Sequence, residues 1–182
     1  MKMKFNRSNI KSSIAAATAF GIVAVSMPAY AGTGTASMTV SSNIDVCCVI
    51  STTNIDFNGY DATGANSSVG DDLTATGGIS STCTTGSGGN IRINQGLHAS
   101  GGSTDAVPAR RMKHATIAEK FLAYNVFSDE LASPTLWENA TGVAYNGSGK
   151  AQPLVVYGII PKAQTTAPVG SYTDTLVVTI NY

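Results

Sequence analysis

Apolar and polar residues alternate with a period of two in several short runs of this chain. The clearest run is the last one. Leu176, Val178, Ile180 and Tyr182 share one parity, and Thr175, Val177, Thr179 and Asn181 share the other. Successive side chains of a strand point to opposite faces. One face of this strand is therefore apolar, and the other is polar apart from Val177. A second run lies near the start, where Ala36, Met38 and Val40 alternate with Ser37, Thr39 and Ser41, and Ser42 continues the first set. Further short β-type segments fall near 35–50, 54–58, 78–83, 90–94, 121–127 and 154–160, with the last at 173–182. Turn-forming runs rich in Gly, Ser, Asn and Asp separate them, as at 61–72, 84–90 and 146–149. Helical periodicity is nowhere sustained, and its best candidate, 109–120, is a weak one. Many short strands joined by turns predict an all-β sandwich or barrel.

Composition agrees with that pattern and charge refines it. Only 12% of the residues are charged, far fewer than a helical bundle needs. The 11 Lys+Arg balance the 11 Asp+Glu, but Lys2, Lys4, Arg7 and Lys11 stand together at the start with no acid beside them. A 12-residue apolar run follows at 14–25, and Ala29-Tyr30-Ala31 ends the segment in a small-residue cleavage pattern. Residues 1–31 thus read as a secretory signal peptide. The apolar run is shorter than the roughly 20 residues that span a bilayer. Removing this segment leaves 7 Lys+Arg against 11 Asp+Glu, a net −4. A mildly acidic remainder has no electrostatic footprint for nucleic acid. The expected product is an exported domain with no transmembrane segment.

Export makes a disulfide plausible. The three cysteines are Cys47, Cys48 and Cys83. Cys48 shares parity with Ile44, Val46 and Ile50, whereas Cys47 falls with Asp45 and Val49. This places Cys48 toward the core and predicts a Cys48–Cys83 bridge. Cys47 is then left over, either as a tolerated half-exposed thiol or as the site of a bridge between chains.

Catalytic chemistry is hard to assemble from what remains. His98 and His114 lie in no metal-type spacing and near no nucleophile motif, and both read as loop residues. Asp56, Asp61, Asp71 and Asp72 do not follow a calcium-loop pattern. Glu119, Asp129, Glu130 and Glu138 are no more than the carboxylates any exported domain carries. The run Arg110-Arg111-Met112-Lys113-His114 reads as a solvated basic face. Asn66, Asn139 and Asn146 match the N-x-S/T glycosylation pattern, which is common by chance. No enzyme, cofactor or metal site is expected.

The C-terminal third carries a resemblance. Phe121-Leu122-Ala123-Tyr124-Asn125-Val126-Phe127 is followed by Leu136-Trp137, then by Tyr157-Gly158-Ile159-Ile160-Pro161 and Gly170-Ser171-Tyr172-Thr173-Asp174-Thr175-Leu176 through to Tyr182. Together with Ile55-Asp56-Phe57 and Ser81-Thr82-Cys83, these resemble the spore coat protein U-like domain, the pilin domain of archaic chaperone–usher pili. The Cys47-Cys48 doublet departs from the family's single cysteine. The resemblance implies an immunoglobulin-like sandwich that is incomplete, its last strand supplied by a chaperone or a neighbouring subunit. It implies assembly by strand addition: a periplasmic chaperone fills the groove first, and the arm of the next subunit replaces it at an outer-membrane usher. On this reading 32–43 is a donor arm presenting Ala36, Met38, Val40 and Ser42. Residues 44–182 are the pilin domain, and Leu176, Val178, Ile180 and Tyr182 line the acceptor edge. From periodicity alone, 32–43 serves equally as the domain's own first strand; the resemblance favours the arm. The implied product is a surface fimbrium supporting adhesion or biofilm formation. The alternative is a secreted or coat-associated binding module that is complete as a monomer.

Overall fold

A computed structural model describes residues 31–130 and 132–182, and the predicted signal peptide lies outside the described residues. Nine strands form and, among the described residues, no helix does. In chain order they are β1 (Cys48–Thr53), β2 (Leu73–Cys83), β3 (Gly88–Ile93), β4 (Arg110–His114), β5 (Phe121–Phe127), β6 (Val143–Asn146), β7 (Gln152–Ile160), β8 (Tyr172–Thr173) and β9 (Val178–Asn181). One sheet runs β1-β2-β7-β5-β4-β8 and the other β6-β3-β9. Every strand pairing is antiparallel. The two sheets enclose one core and make an immunoglobulin-like sandwich. Ile79 and Val156 contribute from the larger sheet, Ile91 and Ile93 from the smaller, with Trp137 between strands.

Alternation builds each layer. In β5, Leu122, Tyr124 and Val126 turn inward while Phe121, Ala123, Asn125 and Phe127 are half-buried on the other face. Trp137 is 1% exposed, and its indole Nε1–H donates to the Ile91 carbonyl at 2.9 Å. That bond satisfies the one polar atom of the largest core side chain. Cys48 and Cys83 stand directly opposite each other across β1 and β2 and form the disulfide predicted from parity. Cys47 is a free, exposed cysteine.

Several expectations are corrected. The weak helix at 109–120 is instead strand β4 followed by a turn. Its residues Arg110 and His114 are buried, so the run Arg110-Arg111-Met112-Lys113-His114 is not a solvated face and His114 is not a loop residue. Burying Arg110 is tolerable because its guanidinium is saturated. It donates to the carbonyls of Ile93, Asn94 and Trp137, and to Asn125 Oδ1. The His114 ring accepts the backbone N–H groups of Thr116 and Ile117 on Nδ1 and lies 3.1 Å from the Val169 carbonyl through Nε2. Arg111 stacks 4.0 Å from the centre of the Phe121 ring. The segment 54–58 is not a strand, although its Phe57 reaches the core. The expected strand at 35–50 begins only at Cys48, and 173–182 is divided between β8 and β9. Strand β6 was hidden behind the turn signal that follows it.

Residues 42–182 make one compact unit, and 31–41 fall outside it. Residues 31–47 have no regular secondary structure and are exposed throughout. Met38 and Val40 are each 88% exposed.

Candidate functional site: an open cleft between the sheets

The sandwich is not closed along one side. A cleft of about 510 Å³ opens between the end of β1 with its continuation (Thr52, Ile55) and the segment that carries Asp174, Leu176 and Val178. Ile79, Ile93 and Val156 of the core form its floor, and Met112 and Tyr124 stand over them. A second cavity of about 620 Å³ adjoins it through Ile55, Phe57, Met112 and Tyr172. The walls are apolar but incompletely covered: Ile55, Met112, Leu176, Val178 and Ile180 pack against the core and remain half-buried. Apolar surface left in contact with water is costly in proportion to its area.

Both walls are also edge strands. β1 pairs only with β2, and β9 only with β3. The hydrogen bonds fix which backbone groups remain free. Asn94 N–H donates to the Val177 carbonyl, Leu97 N–H donates to the Thr175 carbonyl, and Val177 N–H donates to Asn94 Oδ1. The pairing of Arg92 with Thr179 and of Asn90 with Asn181 continues that parity. The odd-numbered residues thus turn their N–H and C=O groups toward β3. Those of Leu176, Val178 and Ile180 point to the open edge, since backbone groups alternate along an antiparallel strand. An edge with unpaired backbone groups is a template for another strand. This one carries neither proline nor lysine to blunt it.

A polar network holds the C-terminal segment where it passes from one sheet to the other. Asp174 Oδ1 accepts from the backbone N–H groups of Leu97 and His98 at 3.0 and 3.2 Å, and Oδ2 accepts from the Tyr124 hydroxyl at 2.7 Å. Gly96 has φ +84° and passes so close to Asp174 that a Cβ there would collide with the carboxylate. Burial, reinforced by the bond to Asp174, raises the Tyr124 hydroxyl above the usual phenol range. Burial likewise lowers Arg110 to about 10, with Tyr124 and Asp174 acting against the shift. The chain breaks from strand geometry at 174–177 because Asp174 is turned to meet these donors.

Of the residues predicted for an acceptor edge, Leu176, Val178 and Ile180 lie side by side along this cleft or just beyond it, half-buried. Tyr182 does not share their setting and is 62% exposed. Ala36, Met38, Val40 and Ser42 are exposed and belong to no strand. Sequence reasoning missed the Asp174–Tyr124 pair and the buried Arg110. The signal available was that Asp174 is the single charge in an otherwise uncharged strand. Among the described residues, no group of three or more His, Cys, Asp or Glu side chains could hold a metal ion. Asp61 accepts the N–H groups of Thr63, Gly64 and Ala65, which with the Thr63 hydroxyl lower its carboxyl below the ordinary value, the Gly64 bond most of all. Asn66 is buried and bonded to Asp61 and Asp71, which leaves it no room as a glycan acceptor. No helix among the described residues is long and apolar enough to cross a membrane.

Comparison with known proteins gives three findings. The model of the Spore Coat Protein U domain family matches residues 34–179. Protein U of Myxococcus xanthus is 37% identical over 179 residues, covering 95% of this chain and 98% of that protein. Among solved structures, a chain of the CsuC–CsuE chaperone–tip adhesion subunit pre-assembly complex, from archaic chaperone-usher Csu pili of Acinetobacter baumannii, aligns with a TM-score of 0.47 and 23% identity. That alignment covers 76% of this chain and 40% of the other.

Proposed function

Because the chain belongs to the Spore Coat Protein U domain family, we propose that it is an exported, non-enzymatic structural subunit of a surface pilus that polymerises by donor-strand exchange. Its partners are a periplasmic chaperone, an outer-membrane usher and neighbouring subunits, and the filament supports adhesion or biofilm formation. One observation carries this reading: a single chain combines an open apolar cleft, edged by unpaired backbone groups, with an uncharged alternating segment that has no strand partner. Each feature is what the other lacks. Residues 32–43 can extend over about 40 Å, enough to line the whole cleft of a neighbour. Contact of an arm with a groove elsewhere on an identical molecule does not close on itself, so it generates a filament.

The reading is tested by deleting residues 32–42 and expressing the truncated subunit with its chaperone and usher. The truncated subunit should still be captured by the chaperone and be absent from filaments. Met38→Asp should weaken incorporation by placing a charge in an apolar groove. Entry of the truncated subunit into the filament shaft would contradict the proposal. So would a well-folded monomer purified without chaperone in which 32–43 is paired to its own domain; that outcome identifies a self-sufficient binding module.

A further inference from the structure

The cleft is not uniformly apolar, and its one polar position gives it a register. Along the open edge the inward series is Asp174, Leu176, Val178 and Ile180. The arm's series is Ala36, Met38, Val40 and Ser42, three apolar residues and one hydroxyl. A carboxylate offers about four acceptor positions. Two bonds fall on Asp174 Oδ1 and one on Oδ2, so one position on Oδ2 is left in the cleft wall. We infer that the arm of a second copy of this chain binds antiparallel to β9 with Ser42 opposite Asp174, Val40 opposite Leu176, Met38 opposite Val178 and Ala36 opposite Ile180. This assignment rests on the donor-arm reading above and adds the occupant, its direction and its register.

The chemistry excludes the neighbouring alignments. Sliding the arm by two residues either way keeps the same face inward but changes what meets the carboxylate. One slide sets Val40 against Asp174, leaving the free acceptor position beside an apolar side chain. The other moves Ser42 onto Leu176 and Ala36 out to Tyr182, which is exposed and offers no seat. A slide by one residue turns Ser37, Thr39 and Ser41 into the apolar floor. In the assigned register Met38, the longest side chain of the set, lies over Ile79 and Ile93 beside Val178, where the floor is deepest. The backbone agrees: the free N–H and C=O groups of Leu176, Val178 and Ile180 face the arm residues whose side chains point inward. Asp174 is on this view a positioning residue, held by Leu97, His98 and Tyr124 and read by the hydroxyl of Ser42.

Cross-strand disulfides test the register in the full-length chain. Residues directly opposite in an antiparallel pair come within disulfide range, whereas partners offset by two lie about 7–8 Å apart. Cys48 and Cys83 already form such a bridge here, with Cα atoms 4.1 Å apart. In a Cys47→Ser background, Val177→Cys is combined in turn with Ser37→Cys, Thr39→Cys or Ser41→Cys, and the assembled filaments are oxidised mildly. The Thr39→Cys pair should give a detergent-resistant ladder in multiples of this chain, at least tenfold stronger than either other pair. A ladder from the Ser37 or Ser41 variant instead overturns the register, and a bridge to a different protein overturns the occupant. Filaments with no bridge in any variant overturn the placement of the arm along β9. Absence of filaments from the Cys47→Ser parent and the unaltered chain alike would defeat the donor-arm reading itself.

Discussion

Two sides of the same core are covered differently. Around Trp137 and Arg110 the chain seals its own interior: the indole N–H meets the Ile91 carbonyl, and the guanidinium is spent on Ile93, Asn94, Asn125 and Trp137. Along Ile55, Leu176 and Val178 the same floor residues, Ile79 and Ile93, are roofed by half-buried side chains and an open edge. The contrast divides the molecule into residues that keep the subunit folded and residues whose covering comes from elsewhere. Stability measured on the isolated subunit reports on the first group. Assembly reports on the second.

The sharpest way to break that division is to damage the sealed side. Trp137→Ala removes the largest core side chain and should destabilise the subunit by about 3–5 kcal/mol whether or not an arm is bound. Its measure is denaturant unfolding of the chaperone-free subunit and of the subunit with arm peptide. Replacing both Cys48 and Cys83 by Ser frees a loop with a sequence separation of 35 and should cost roughly 3–4 kcal/mol. This too is read as a shift of the unfolding midpoint without change in the arm's register. Leu176→Ala should behave differently. It should cost about 1 kcal/mol in the subunit alone and about 2–3 kcal/mol once a strand covers the cleft. An equal loss in both states would remove the distinction. The smallest effect is expected at Asp61, remote from the cleft. Its carboxyl is lowered in the fold, so its contribution is present above about pH 4 and is lost as pH falls through the lower folded value. Asp61→Asn should flatten that acid limb of a stability profile slightly and leave assembly unchanged.

Period-two alternation made β5, most of β7 and the inward face of β9 legible, because those strands have one wet and one dry side. Parity also placed the disulfide. It failed at β4, where Arg110 and His114 occupy inward positions that a hydrophobic pattern scores as surface. Only the carbonyls of Ile93, Asn94 and Trp137, gathered from distant parts of the chain, make that burial possible. It failed again at 174–177, where one carboxylate turns the strand toward Leu97, His98 and Tyr124. The arm shows the opposite limit. Its alternation is as clean as that of any strand, yet residues 31–47 are not a strand, because alternation reports a suitable face and not the presence of a partner. Half of the cleft was therefore readable, namely the apolar residues of β9. The polar fixture at its end was not.

The most direct test is hydrogen exchange at the backbone amides of Leu176, Val178 and Ile180, compared with Thr179 and Asn181 on the same strand. The odd-numbered amides face β3 and should be protected in the arm-deleted subunit and in the filament alike. The even-numbered amides face the open edge. They should exchange freely in the arm-deleted subunit and become protected in the filament by at least two orders of magnitude. Equal exchange of Leu176, Val178 and Ile180 in both states would mean that no strand is added at this edge, and the account would fail.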